Sequence, residues 1–196
     1  MIGAVFLDRD GVINANRADY VKNWDEFVFL PGVFDALRRL AQDERAIVVV
    51  SNQSAIGRGL VPVEAVETIH HRMRAEVQRQ GGRIDAVFYC PHGPQDDCDC
   101  RKPLPGLLLR AAAELHLDLA RSYVIGDAVS DVEAALAAGC SPIFVLTGRG
   151  EGQSSLLKQQ RYVGVPLVAD LPAAVDLILH GGECLPCTPG CAEKVT

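Results

Sequence analysis

In Ile2-Gly3-Ala4-Val5-Phe6-Leu7-Asp8-Arg9-Asp10-Gly11-Val12-Ile13 an apolar run of strand length, Ile2 to Leu7, is followed by two carboxylates one residue apart, Asp8 and Asp10. A short apolar run closed by a turn signal reads as a buried strand. Like charges this close repel unless a cation or a proton is shared between them. The pair therefore suggests a divalent metal site in which one carboxylate could attack and the other could move protons. Asp-x-Asp-Gly also serves in ordinary turns, because Asp and Gly tolerate turn backbones.

Outward from this strand, strand-like and helix-like segments alternate. Strands are expected at Ile2–Leu7, Ala46–Val50, Ala86–Tyr89, Ser122–Ile125, Pro142–Val145 and, more weakly, Pro166–Ala169. Helices are expected at Val33–Gln42, Val63–Gln80, Gly106–His116, Ser130–Ala138 and Leu171–Leu179. Such alternation predicts an α/β fold: a single doubly wound, Rossmann-like parallel sheet with helices on both faces. No cap domain and no internal repeat is visible. One domain is expected over residues 1–180, followed by a mobile tail, 181–196.

Polar clusters follow three of the strands: Asp8 and Asp10, then Ser51 to Ser54, then Gly126 and Asp127. Ligands of such sheets bind outside the carboxyl ends of the strands, so the three clusters should meet in one crevice. The segment Asn14 to Leu30 is too long for a simple connection and carries Asn16, Arg17, Tyr20 and Trp24; it reads as a flap near the site.

Ser51, Asn52, Gln53 and Ser54 precede Ile56-Gly57-Arg58-Gly59, backbone of the sort that wraps an oxyanion. Arg101 and Lys102 place two cations in a loop, a planar fork beside a point charge. Asp127 is the expected metal ligand, with Asp131 behind it as a favourable charge in the first turn of a helix. Mg2+ suits this oxygen set, since it keeps waters and is held by one or two carboxylates plus substrate phosphate. Cys90, His92, Cys98 and Cys100 match a closed tetrahedral Zn2+ site of three thiolates and one imidazole. Four protein ligands leave no open position, so this zinc is expected to be structural and to hold the loop presenting Arg101 and Lys102. Cys184, Cys187 and Cys191 lack an obvious fourth ligand. His70, His71, His116 and His180 read as surface or packing residues.

The 196 residues are 48% hydrophobic and 22% charged, enough for a sizeable core. A net charge of −6 without a basic run gives no footprint for nucleic acid. Apolar stretches of strand length, and an N-terminus without a basic region and long apolar segment, argue against membrane spanning and export. A cytoplasmic location is expected. Seven cysteines without a secretion signal point to metal ligands or free thiols.

On these residues the chain resembles the haloacid dehalogenase superfamily: Asp-x-Asp-Gly after the first strand, Ser51 after the second, Lys102 before a helix, and Gly126-Asp127-x-x-x-Asp131 after a later strand. The likeness spans roughly Ile2 to Val145. The cysteine loop followed by Arg101-Lys102-Pro103, and Asn52-Gln53-Ser54 with Arg58 and Gly59, look like the D-glycero-D-manno-heptose 1,7-bisphosphate phosphatases, with the histidinol-phosphate phosphatases as near relatives. The resemblance implies that Asp8 attacks phosphorus to form an aspartyl-phosphate and that Asp10 protonates the leaving oxygen and later activates water. Asp8, Asp127 and the Asp10 carbonyl would hold Mg2+, while Ser51 and Lys102 steady the phosphoryl oxygens. Asn16, Arg17, Tyr20, Arg58 and Arg101 are candidates for the sugar or its second phosphate. Many such enzymes carry a basic residue after the motif aspartate; here it is Ala128. The expected substrate is a small phosphorylated sugar, most directly the 7-phosphate of the heptose bisphosphate, and the expected state is a monomer. The alternatives are a histidinol-phosphate phosphatase, a phosphatase for a 3'-phosphate of DNA, against which the acidic charge weighs, and a zinc-stabilised binding module without catalysis.

Overall fold

The computed structural model describes residues 1–158 and 162–181. Its strands are β1 (Ala4–Leu7), β2 (Ala46–Asn52), β3 (Ala86–Cys90), β4 (Tyr123–Gly126), β5 (Ser141–Val145) and β6 (Leu167–Val168). All pair in parallel in the order β3-β2-β1-β4-β5-β6. β1 is buried along its whole length, and its alternate side chains point to opposite faces. Val5 and Leu7 join one core, Ala4 and Phe6 the other, which is why the strand reads as a continuous apolar run.

Among the described residues six α-helices connect the strands, α1 (Val33–Leu40), α2 (Ser54–Gly57), α3 (Val63–Arg79), α4 (Gly106–Leu115), α5 (Val129–Ala138) and α6 (Gly150–Gln153), and α7 (Leu171–His180) follows β6. α1 buries Val33, Ala36, Leu37 and Leu40, spacings of three and four that form one stripe. That stripe packs with α3 and α7 on the Val5/Leu7 face. α4 and α5 cover the opposite face through Leu107, Leu108, Ala111, Ala134 and Ala135. The sheet is therefore wound on both sides.

The expected strand from Ile2 begins at Ala4, because Ile2 makes only an isolated bridge to Leu117. The last strand shortens to Leu167–Val168. α2 and α6 have four residues each, too few to show a helical period. Residues 14–30 do leave the sheet as one excursion. It closes on itself where Ala15 N donates to Val28 O at 2.8 Å and Asn14 bridges Phe29. Trp24, Phe27, Phe29 and Phe34 pack through stacked, edge-to-face and tilted ring pairs and anchor it to the core. Residues 182–196, with Cys184, Cys187 and Cys191, lie outside the described residues. Among the described residues no helix is long and apolar enough to cross a membrane.

Candidate active site

β1 and β4 are neighbours, and the chain turns to opposite sides of the sheet after them, so the crevice opens where both strands end. Asp8 follows β1 and its N–H donates to Ile125 O at 2.9 Å. Asp127 follows β4, and Asp131 sits in the first turn of α5. These three carboxylates are buried and offer oxygens that lie within 4.8 Å of one another. Burial first, and then the charges of Asp131, Asp127 and Asp10, push the Asp8 carboxyl up to about 7 against the pull of Lys102. Burial, followed by Asp131, also raises Asp127, against the pull of Arg149. A compact set of hard oxygens whose charge the surrounding protein does not fully balance fits a divalent cation.

The Asp127 carboxylate lies in a cradle that only glycine permits. A Cβ on Gly11 (φ +96) would stand 2.1 Å from its Oδ2, and one on Gly148 (φ +59) 2.3 Å from the same atom. Both backbones also occupy the left-handed region that side chains disfavour.

Lys102 is 4% exposed. Its Nζ donates to Asp8 Oδ1 and Val50 O, each at 2.9 Å, and pairs with Asp131 Oδ1 at 2.6 Å. Asn52 fixes the lysine backbone from the end of β2, accepting from Lys102 N and donating to Lys102 O at 3.0 Å each. Asp131 thus joins the charge cluster while also accepting from Ala128 N at 3.0 Å at the start of its helix.

Asp10 stands outside this trio and is gripped on both oxygens. Arg9 Nε and NH2 reach it at 3.1 Å, Asn14 Nδ2 at 2.9 Å and Gln53 Nε2 at 2.9 Å. Burial alone would raise its carboxyl, but Arg9, Asn14 and Gln53 together hold it below the usual range. Gln53 Nε2 also donates to Ser51 Oγ at 2.8 Å, tying the serine to the same network.

Cys90 ends β3, and His92, Cys98 and Cys100 return to it from the following loop. Cys90 Sγ is 3.9 Å from Cys98 Sγ and 3.5 Å from His92 Nδ1, which is 3.3 Å from Cys100 Sγ. A tetrahedral ion with bonds of about 2.3 Å to sulfur and 2.0 Å to nitrogen spaces its ligands by roughly these distances. Burial and the neighbouring thiols push Cys100 up to about 12, so this cluster, too, calls for a cation before its thiols ionise together.

Asp8, Asp10, Ser51, Asn52, Gln53, Ser54 and Lys102 line one cleft of about 550 Å3, together with Asn16, Arg17, Tyr20, Arg58 and Arg101. Sequence reasoning missed Arg149. Its N–H donates to Asp127 Oδ2 at 2.7 Å and its guanidinium lies 3.3 Å from Oδ1. It brings from the loop after β5 the cation that Ala128 lacks. Gly148-Arg149-Gly150 is a fourth polar cluster behind a strand, and the rule that found the other three would have found it.

A HAD-hydrolase-like family model matches residues 99–173. The D-glycero-beta-D-manno-heptose-1,7-bisphosphate 7-phosphatase of Bordetella bronchiseptica is 40% identical over 176 residues, covering 90% of this chain and 97% of that protein. The protein of the same name from Pseudomonas aeruginosa is 44% identical over 146 residues, 74% of this chain and 82% of that one. The crystal structure of D,D-heptose 1,7-bisphosphate phosphatase from B. bronchiseptica, complexed with magnesium and phosphate, superposes with a TM-score of 0.86 at 38% identity, covering 92% of this chain and 99% of that chain.

Proposed function

The chain belongs to the haloacid dehalogenase-like hydrolases, in the group of the heptose-bisphosphate 7-phosphatases, and from that premise we propose that it hydrolyses the 7-phosphate of D-glycero-D-manno-heptose 1,7-bisphosphate. The observation that carries the reading is the buried trio Asp8, Asp127 and Asp131 around Lys102 at the carboxyl ends of β1 and β4. The substrate assignment rests on the relatives that share most of the chain's length.

Mg2+ held by Asp8, Asp127 and the Asp10 carbonyl would neutralise charge on the phosphoryl oxygens. Asp8 attacks phosphorus, forming an aspartyl-phosphate as the bond to the sugar oxygen breaks. Lys102, already on Asp8 Oδ1, and Ser51 steady the phosphoryl oxygens. Asp10 gives its proton to the departing sugar oxygen, then takes one from the water that cleaves the acyl phosphate, restoring Asp8 and releasing phosphate. The low Asp10 carboxyl suits the second of these roles. The first is served by the substrate itself, whose dianion raises a neighbouring carboxyl and lets it carry a proton in the complex. Asn52 and Gln53 shape the phosphate side of the cleft, and Ser54 opens α2 beside it. Asn16, Arg17, Tyr20, Arg58 and Arg101 receive the sugar and its second phosphate at the mouth.

Cys90, His92, Cys98 and Cys100 hold a structural Zn2+ in this reading. The protein acts as a cytoplasmic monomer on a small phosphorylated sugar, with residues 1–180 as its one catalytic domain. The test is Mg2+-dependent phosphate release from both anomers of heptose 1,7-bisphosphate and from histidinol phosphate, with Asp8→Asn as the blank. Fast single-site release from a bisphosphate anomer, absent in Asp8→Asn, is the expected result. A preference for histidinol phosphate would reassign the substrate, and turnover by Asp8→Asn would remove Asp8 as nucleophile.

A further inference from the structure

We infer that His70 of α3 is a positioning residue for Asp10, acting through Arg9. The buried residues of α3 are Val66, Ile69, His70, Met73 and Val77, a helical stripe facing the sheet. Four of these five positions carry apolar side chains, and an imidazole among them needs a partner. It has one: His70 Nε2 lies 3.1 Å from Arg9 NH1, both residues buried. A guanidinium can only donate, so Nε2 accepts, and His70 is neutral with its proton on Nδ1. Arg9 is 1% exposed, and its other edge is the fork on Asp10. Imidazole and carboxylate thus hold the two edges of one plane. The charges that face His70 are those of Arg9 and, beyond it, Asp10, and the Tyr89 ring of β3 lies 5.2 Å from the imidazole, centroid to centroid.

The network also favours donors toward Asp10 at a cost elsewhere. Asn14 directs Nδ2 at Asp10, and its Oδ1 is the one buried side-chain polar atom found without a partner among the described residues. Without an acceptor on NH1, the guanidinium can turn, and the Asp10 oxygens turn with it. The inference rests on the phosphatase reading above, since it is the proton-moving role of Asp10 that makes its direction matter.

The test compares His70→Leu with His70→Gln, whose amide oxygen can still accept from Arg9. The values read are kcat/KM for the heptose bisphosphate and for p-nitrophenyl phosphate. This constant covers the steps through departure of the alcohol. A sugar oxygen needs a proton from Asp10 to leave, whereas nitrophenolate does not. The ratio of the two constants is also independent of the folded fraction. In His70→Leu the sugar-to-aryl ratio should fall about tenfold, and His70→Gln should restore it to within about twofold of the parent. An unchanged ratio in His70→Leu, or equal impairment in both variants, overturns the inference. Nitrogen-15 NMR of the unmutated protein supplies a readout free of activity: Nδ1 protonated and Nε2 accepting at neutral pH supports it, and a proton on Nε2 overturns it. Wild-type protein inactive on both esters would remove the functional reading, and the positioning role with it, whereas active wild-type protein with indifferent variants removes the role alone.

Discussion

Lys102 shows how much a single residue carries. Burial works against its charge, yet Asp131 and Asp8 hold its pKa above the usual lysine value, so the ammonium and the two carboxylates depend on each other. Lys102→Met should leave Asp8 and Asp131 buried without their shared cation. We predict a loss of about 3 kcal/mol in urea unfolding and a fall in kcat of about 100-fold or more. Near-wild-type turnover would show that Asp8 does not need this charge. Asp8, Asp10, Ser51 and Asp127 were legible as residue types because each stands in a polar cluster next to an apolar segment, and Lys102 because it directly follows the cysteine loop. Their partners were less so. Arg149 and Asp127 meet across 22 residues, and Arg9 and His70 across 61. Ordinary spacing rules end within one helix or one turn, and an imidazole inside an apolar stripe looks like any packed core residue.

At the scale of elements, the loop from Pro91 to Lys102 has no regular secondary structure and must be shaped by other means. Gly57 of α2 fits against it, its N–H donating to Pro91 O at 2.8 Å, where a Cβ would stand 2.4 Å from Gly93 N. At its far end Gly106 approaches Asp99 O so closely that a Cβ would lie 2.2 Å away. Between these contacts the Cys3His cluster draws the chain together and delivers Lys102 to Asp8. Stripping the proposed Zn2+ with a selective chelator while Mg2+ stays in excess should therefore abolish phosphate release and leave far-UV circular dichroism nearly unchanged. Zn2+ and not Mg2+ should restore activity. Full activity in zinc-free protein would show that the loop holds its shape unaided. The cluster was legible because ligand spacing is written in sequence. The two glycine contacts were not, since each depends on which segment lies opposite.

Across the whole molecule, buried titrating groups set the pH range of stability. Burial and then Arg9 push His70 down to about 3, against the pull of Asp10. An unfolded imidazole titrates near 6.5, so below that pH the unfolded chain takes up a proton that the folded chain refuses. This contribution leaves stability intact above 6.5 and removes about 1.4 kcal/mol per pH unit as pH falls toward 3. In metal-free protein Asp8 acts in the opposite sense. Its folded carboxyl keeps a proton up to about 7, so from the unfolded value near 3.8 upward it loses stability as pH rises. Urea titrations of metal-free wild type and His70→Gln at pH 7, 6 and 5 separate the two. The variant should gain on the wild type as pH falls, and parallel curves would show that folded His70 takes up its proton as readily as the unfolded chain does. The sheet itself was largely legible, because six apolar runs separated by helical stretches admit few arrangements; strand order was not, since pairing is decided by packing between distant segments. That order puts β1, the earliest of the six strands in the sequence, inside the sheet, with Lys102 arriving 94 residues after Asp8 and Asp127 later still. A chain synthesised only as far as β3 therefore holds Asp8 without Lys102 or Asp127 beside it, and the proposed catalysis has to wait until β4 has emerged and docked.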